Sequence, residues 1–158
     1  MVSRHVKEVI IDEMKIGDLQ EVVEIERASC TMPWSESLFY NEIQNPRSLS
    51  LVARKYGKVV GYICANRIMD EGHVLNLAVH PEHRKLGIAT ALVEEMIGLL
   101  RQDECRFLFL EVRASNDRAK KIYEKLNFAL LGIRKNYYVS PAEDAVIMVL
   151  KFMNEPTS

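Results

Sequence analysis

Cysteine is scarce in this 158-residue chain, and what there is forms no pattern. Cys30, Cys64 and Cys105 are odd in number, far apart and without a C-x-x-C pair. That excludes a disulfide framework and a cysteine zinc site, and it reads as free thiols in a reducing compartment. A charge excess is missing as well: 21 Lys and Arg stand against 22 Asp and Glu, for a net charge of −1. A general nucleic-acid or membrane-surface binder carries a marked basic excess, so neither partner is expected. No apolar run approaches the length needed to span a bilayer. The stretch Met1 to Ile10 carries Arg4, His5, Lys7 and Glu8 and lacks the apolar core of a signal peptide. A cytoplasmic protein is the expectation. Internal repeats, low-complexity tracts and linkers are also absent.

What is present is ordinary globular usage, 48% hydrophobic and 27% charged. A domain of this size buries roughly 68–70% of its unfolded-chain surface and needs no disulfide or metal to fold. One domain over residues 1–153 is expected, with a frayed tail at Asn154–Ser158. The pattern reads strand, two helices, three strands, helix, strand, helix and a closing pair of strands. Val9–Met14 fits a short strand. Asp18 is placed to cap a helix bearing Leu19, Val22, Val23 and Ile25, whose period is only roughly helical. Pro33 breaks the chain, and Ser35 can cap a second helix carrying Leu38, Phe39 and Ile43. Leu49–Arg54 and Val59–Ile68 are β-rich segments joined by a Tyr56-Gly57-Lys58 turn. His73–Val79 is another strand, stopped by His80-Pro81. Phe107–Leu110 is a continuous apolar run, as in a strand buried on both faces, and it ends in Glu111-Val112-Arg113. Strands alternating with helices in the second half make the fold class α/β with at least one parallel pairing.

The informative stretch is Arg84-Lys85-Leu86-Gly87-Ile88-Ala89-Thr90, between a strand and a helix. The helix is marked by Ile88, Leu92, Met96 and Leu99 at helical spacing, with Ala89, Val93 and Leu100 beside them. No Ser, Thr, Asp or Asn stands where its cap belongs. The first turn of a helix leaves backbone N–H groups without partners, and a phosphate satisfies them well because the helix dipole favours an anion. Gly87 admits a ligand close to the backbone, and Arg84 and Lys85 add positive charge. The same residues fit a turn glycine followed by a water-capped helix. The Gly-Lys-Ser/Thr ending of a Walker loop and the three glycines of a dinucleotide fingerprint are both missing.

Arg84-x-x-Gly87-x-Ala89 after a strand resembles the pyrophosphate-binding motif of the GNAT superfamily of acetyltransferases. Downstream, Leu110-Glu111-Val112-Arg113-Ala114-Ser115-Asn116, Ile122-Tyr123-Glu124-Lys125-Leu126-Asn127-Phe128, Arg134-Lys135-Asn136-Tyr137-Tyr138 and Glu143-Asp144-Ala145-Val146-Ile147-Met148 resemble its RimI-type branch. Pro33-Trp34-Ser35 does so upstream, and the likeness runs in order from about Leu19 to Leu150. It implies a GNAT-type central sheet, mixed but mostly antiparallel and twisted, with about four helices, and acetyl-CoA as co-substrate. Where the family commonly has Leu-Gly-Phe, this chain has Leu126-Asn127-Phe128; Asn also tolerates the left-handed helix-ending position.

Site residues follow by the same resemblance. Glu111, at the carboxyl end of a buried strand, is the general base; residues of that kind are otherwise ordinary solvated carboxylates. Tyr123 shares an apolar helix face with Ala119, Ile122 and Leu126, where a tyrosine is ordinarily core; the family match makes it the proton donor to the departing thiolate. The backbone of Leu77, Ala78 and Val79 pairs with the pantetheine arm as an added strand would. Lys85, Leu86, Gly87, Ile88, Ala89 and Thr90 hold the pyrophosphate. Asn116 is an N-cap that also contacts the cofactor. Trp34, Tyr137 and Tyr138 line the acceptor groove, although each also fits edge packing. His80 and His83 flank the phosphate loop at a spacing that could ligate a metal, but no third ligand accompanies them, and no metal is expected.

An α-amine has a pKa of about 7.7–8.0 against about 10.4 for lysine, so leaving lysine neutral at pH 7 costs roughly 3.4 kcal/mol more. One carboxylate base therefore suits a protein N-terminus. The resemblance implies the N-terminal alanine of a small-subunit ribosomal protein as acceptor. Lysines, broader N-termini and small-molecule amines remain alternatives within the enzyme class. A non-catalytic acetyl-CoA sensor is the alternative outside it, though such a module has no need of both Glu111 and Tyr123.

Overall fold

The computed structural model of the protein describes residues 8–152. The tail expected at Asn154–Ser158 lies outside the described residues, as does most of Met1–Ile10. The elements run β1 (Val9–Glu13), α1 (Leu19–Ser29), α2 (Glu36–Gln44), β2 (Ser48–Lys55), β3 (Lys58–Ile68), β4 (Glu71–Val79), α3 (Ile88–Gln102), β5 (Phe107–Arg113), α4 (Asp117–Lys125), β6 (Ala129–Val139) and β7 (Ala142–Lys151). Short 3-10 turns occupy Ile16–Asp18 and Pro81–His83. The order is the expected one.

The seven strands make one sheet in the order β1-β2-β3-β4-β5-β7-β6. Only β4 and β5 pair in parallel; every other neighbouring pair is antiparallel. The period-two alternation of strands sorts the core into two layers. Leu51, Ala53, Ile63 and Ala65 pack against Ile88, Leu92, Met96 and Leu100 of α3. Val52, Tyr62 and Cys64, on the opposite face, pack against Leu19, Val22, Val23 and Ile25 of α1 and Phe39 of α2. The ragged period of α1 has a cause. Its inward stripe runs through positions 19, 22, 23 and 26, and the last is held by a glutamate, Glu26, only 1% exposed.

Local signals mostly hold. Ser35 caps α2, its hydroxyl accepting from the Leu38 N–H at 3.2 Å. Tyr56 and Gly57 both have positive φ, 51° and 81°, the mirror-image two-residue turn that suits strand twist; Lys58 already belongs to β3. Asn127 ends α4 at φ 74°, in the left-handed region. Two expectations are corrected. Asp18 stands at the start of α1 but does not cap it: its carboxylate accepts from both terminal nitrogens of Arg54, at 2.6 and 2.8 Å, and from the Lys15 N–H at 2.9 Å. Burial pushes its pKa up, but these bonds outweigh burial and leave it lowered. In β5 only Leu108, Leu110 and Val112 are buried, while Phe107 and Phe109 are half-covered on the other face and stack on each other at 6.0 Å. In α2, Leu38 is exposed and Phe39 is the fully buried residue.

What positions the site is the way β4 and β5 part. They pair only at Glu71–Phe107, Gly72–Leu108 and His73–Phe109. A Cβ at position 72 would lie 2.8 Å from Leu100 Cδ1, so the glycine lets α3 close on this corner. The β3–β4 ladder then skips between Cys64 and Ala65, leaving Leu75 as an extra residue. Such a bulge bends and twists its strand, and β4 departs from β5 around it.

Candidate active site

Between the diverging strands lies a cleft of about 790 Å³. Its two ends differ in chemistry. At one end is the start of α3, where Gly87, at φ 82°, occupies the cap position and no side chain caps the helix. Lys85 also has positive φ, 66°. Backbone in this alternating conformation turns successive N–H groups toward one point and makes an anion-binding concavity. Lys85, Gly87, Ile88, Ala89 and Thr90 all line the cleft. Leu86 does not; it is 49% exposed to solvent. Arg84 is otherwise engaged, its Nε donating to the Val79 carbonyl at 3.0 Å and a terminal nitrogen to Ser29 Oγ at 3.1 Å. It fastens the end of α1 to the end of β4.

Along one wall run Leu77, Ala78 and Val79. The His80 N–H donates to the Val60 carbonyl on β3 at 2.8 Å. Backbone groups alternate sides along a strand, so Ala78 also turns its own toward β3. Leu77 and Val79 turn theirs toward the cleft, free of β5.

Glu111 stands on the facing strand, two residues past the last β4–β5 pair, with its side chain 14% exposed. It lines the cleft. His73 Nε2 lies 2.8 Å from Glu111 Oε2, a contact that orients the carboxylate and is as short as charge-assisted bonds are. Nothing local in the sequence marks this pair. Its members are 38 residues apart, and only the parallel register brings them together. Tyr123, on α4, reaches the cleft from the third side, 7% exposed and packed against Phe128 at 5.5 Å between ring centroids. Burial pushes its pKa up to about 12, so its hydroxyl keeps its proton. No described residue hydrogen-bonds it. Asn116 caps α4, accepting from the Ala119 N–H at 3.2 Å, and also lines the cleft.

The far end is walled by Cys30, Thr31 and Met32 on one side and by Tyr137, Tyr138 and Val139 on the other. In β6 the ladder to β7 jumps from Arg134 to Tyr138, and the irregularity carries the two tyrosines to the cleft mouth. Their rings stand edge-on at 5.0 Å, and the Arg113 guanidinium lies 4.3 Å from the Tyr138 ring centroid. Burial, then the neighbouring Tyr137, push Tyr138 up to about 12. The Thr31 hydroxyl donates to the Ser140 carbonyl, joining the two walls. Trp34 is not part of this lining. Its ring packs at 5.1 Å from Phe39, and its backbone N–H donates to Glu26.

His83 sits in the Pro81–His83 turn and His80 caps it, its Nδ1 accepting from the Glu82 N–H at 3.1 Å. Among the described residues no group of three His, Cys, Asp or Glu could hold a metal ion, and no helix is long and apolar enough to cross a membrane.

A splayed β4–β5 pair, an uncapped helix start, Glu111 and Tyr123 all border this one cleft. Residues 19–128 match the model of the acetyltransferase (GNAT) family, and the chain belongs to that family. Among its relatives is the [ribosomal protein bS18]-alanine N-acetyltransferase of Escherichia coli strain K12, 36% identical over 142 residues, covering 89% of this chain and 95% of the relative. A Bacillus subtilis (strain 168) protein provisionally given the same activity is 38% identical over 139 residues, covering 87% and 92%. The crystal structure of the ribosomal-protein-S18-alanine N-acetyltransferase from Escherichia coli superposes with a TM-score of 0.85 at 34% identity, over 95% of this chain and 99% of that one.

Proposed function

We propose that this acetyltransferase moves the acetyl group of acetyl-CoA onto the N-terminal α-amine of a protein, the N-terminal alanine of ribosomal protein bS18, in the cytoplasm. The observation that carries the reading is the meeting of Glu111 and Tyr123 in the cleft that also holds the uncapped start of α3. Pyrophosphate would take the free N–H groups at residues 88–90, and the pantetheine arm would lie along Leu77 and Val79. Two diverging strands leave room for such an extended arm.

The chemistry is direct attack in a ternary complex. Glu111, oriented by His73, takes a proton from the acceptor ammonium, and the neutral amine attacks the thioester carbonyl. The new C–N bond forms as the C–S bond breaks. Tyr123 hands its proton to the leaving thiolate and regains one from the nitrogen, so one proton leaves overall. A covalent acetyl-enzyme would need an activated nucleophile. The cleft's thiol, Cys30, is pushed up to about 12 by burial and by Glu26 beside it, which supports attack without such an intermediate.

The test is thiol release from acetyl-CoA with and without a peptide starting in alanine. Release that depends on the peptide is expected. Peptide-independent hydrolysis, or binding with no release, would contradict the proposal.

A further inference from the structure

Glu26 is a 1%-exposed carboxylate that the chemistry above does not use. Four donors from three parts of the chain converge on it. Its Oε1 accepts from the Cys30 thiol at 3.4 Å and from the Tyr62 hydroxyl of β3. Its Oε2 accepts from the Trp34 backbone N–H at 2.9 Å and from Asn76 Nδ2 of β4 at 3.0 Å. A carboxylate only accepts, so four donors match it, and burial on these terms is tolerated.

The two bonds to Oε2 tie parts of the site together. Trp34 anchors the α1–α2 connection, whose Cys30, Thr31 and Met32 form one wall of the far end of the cleft. Asn76 precedes Leu77 on the cleft edge of β4. It shares a face with α1 because of the bulge at Leu75: Val74 packs in the α3 layer and Ala78 in the α1 layer.

We infer that Glu26 is a positioning residue for the acceptor. One carboxylate oxygen, shared between the Trp34 amide and the Asn76 side chain, holds the 30–34 connection against β4 and fixes the wall along which the incoming N-terminus lies. This rests on the acceptor reading above. The phosphate end, at α3, does not depend on it.

Glu26→Gln tests the inference, because it removes the charge that strengthens both bonds to Oε2 and leaves a single oxygen where four donors converge. KM for a peptide starting in alanine should rise about tenfold, the usual scale for a bond to a charged group. Turnover should stay within about threefold and acetyl-CoA affinity within about twofold, the pattern of lost ground-state binding. Tyr62→Phe removes only a bond to Oε1 and should leave the peptide KM unchanged. A folded Glu26→Gln protein with lowered thermal stability but an unchanged peptide KM would overturn the inference, as would an equal KM rise in Tyr62→Phe. Should Glu26→Gln fail to fold, Asn76→Ala carries the same test: a raised peptide KM supports the inference and an unchanged one overturns it. Amide exchange over residues 30–35 needs no acceptor. If the wild type acetylates no N-terminal peptide, the acceptor reading fails by itself. Faster exchange in whichever variant folds still supports the positioning role, and unchanged exchange overturns it.

Discussion

Replacing Glu111 with glutamine removes the proposed base while leaving almost everything else in place. The side chain keeps its shape, and the amide can still hydrogen-bond His73, which lies 2.8 Å from the carboxylate. The phosphate end of the cleft is formed by α3 and its loop, so acetyl-CoA affinity should stay within about twofold. Turnover should not. Loss of a positioned general base is worth ~10²–10⁴-fold, or about 3–5 kcal/mol of barrier. The variant would then depend on amine already neutral in solution, about one tenth of the total at pH 7 for an α-amine of pKa near 8. Its rate should climb about tenfold per pH unit up to about pH 8 and then level off. Initial rates at saturating acetyl-CoA, read as free thiol between about pH 6 and 9, display both the deficit and the slope. A Glu111→Gln rate within about threefold of wild type at pH 7, with an unchanged pH profile, would refute the role.

His73 acts through Glu111, so His73→Ala should lower kcat about tenfold with both KM values unchanged, and His73→Gln, which keeps an N–H donor, should recover most of it; failure of that rescue in steady-state kinetics would leave His73 without the orienting role. Tyr123→Phe should cost less than the glutamate change, about tenfold, because a thiolate of pKa near 8.5 leaves with modest help. The same tyrosine makes stability pH-dependent. Its folded pKa of about 12 lies above the unfolded value of about 10. Its contribution, roughly 3 kcal/mol, is therefore whole below pH 10 or so and disappears as the pH rises toward 12. Urea unfolding of wild type and Tyr123→Phe should show a stability difference that shifts between about pH 10 and 12, and a constant difference would contradict the assignment.

Some of this was legible in the chain and some was not, for physical reasons. The loop at Gly87 could be read because its signals are local: a glycine, a missing cap and a strong helical stripe within a few residues. The Ser35 cap and the Asn127 helix end are local in the same sense. Glu111 and Tyr123 carry no local mark, and only the family resemblance singled them out. His73 could not be read, since its partner lies across a parallel pair joined through the whole of α3. Glu26 was disguised as a surface glutamate. Its signal was positional, the fourth place on a stripe otherwise filled by Leu19, Val22 and Val23. The place of Trp34 could not be read either: its ring packs on Phe39, where a large aromatic gains by burial, and its backbone N–H holds Glu26. The apolar run of β5 looked like a strand buried on both faces because Phe107 and Phe109 are apolar but only half-covered.

The central claim is that the acceptor is an N-terminal α-amine. One peptide carrying both a free N-terminal alanine and an internal lysine, incubated with the protein and acetyl-CoA and fragmented in a mass spectrometer, tests it most directly. The account predicts a single acetyl group, confined to the alanine nitrogen. An acetyl group on the lysine side chain, or none at all from protein that binds acetyl-CoA, would contradict it.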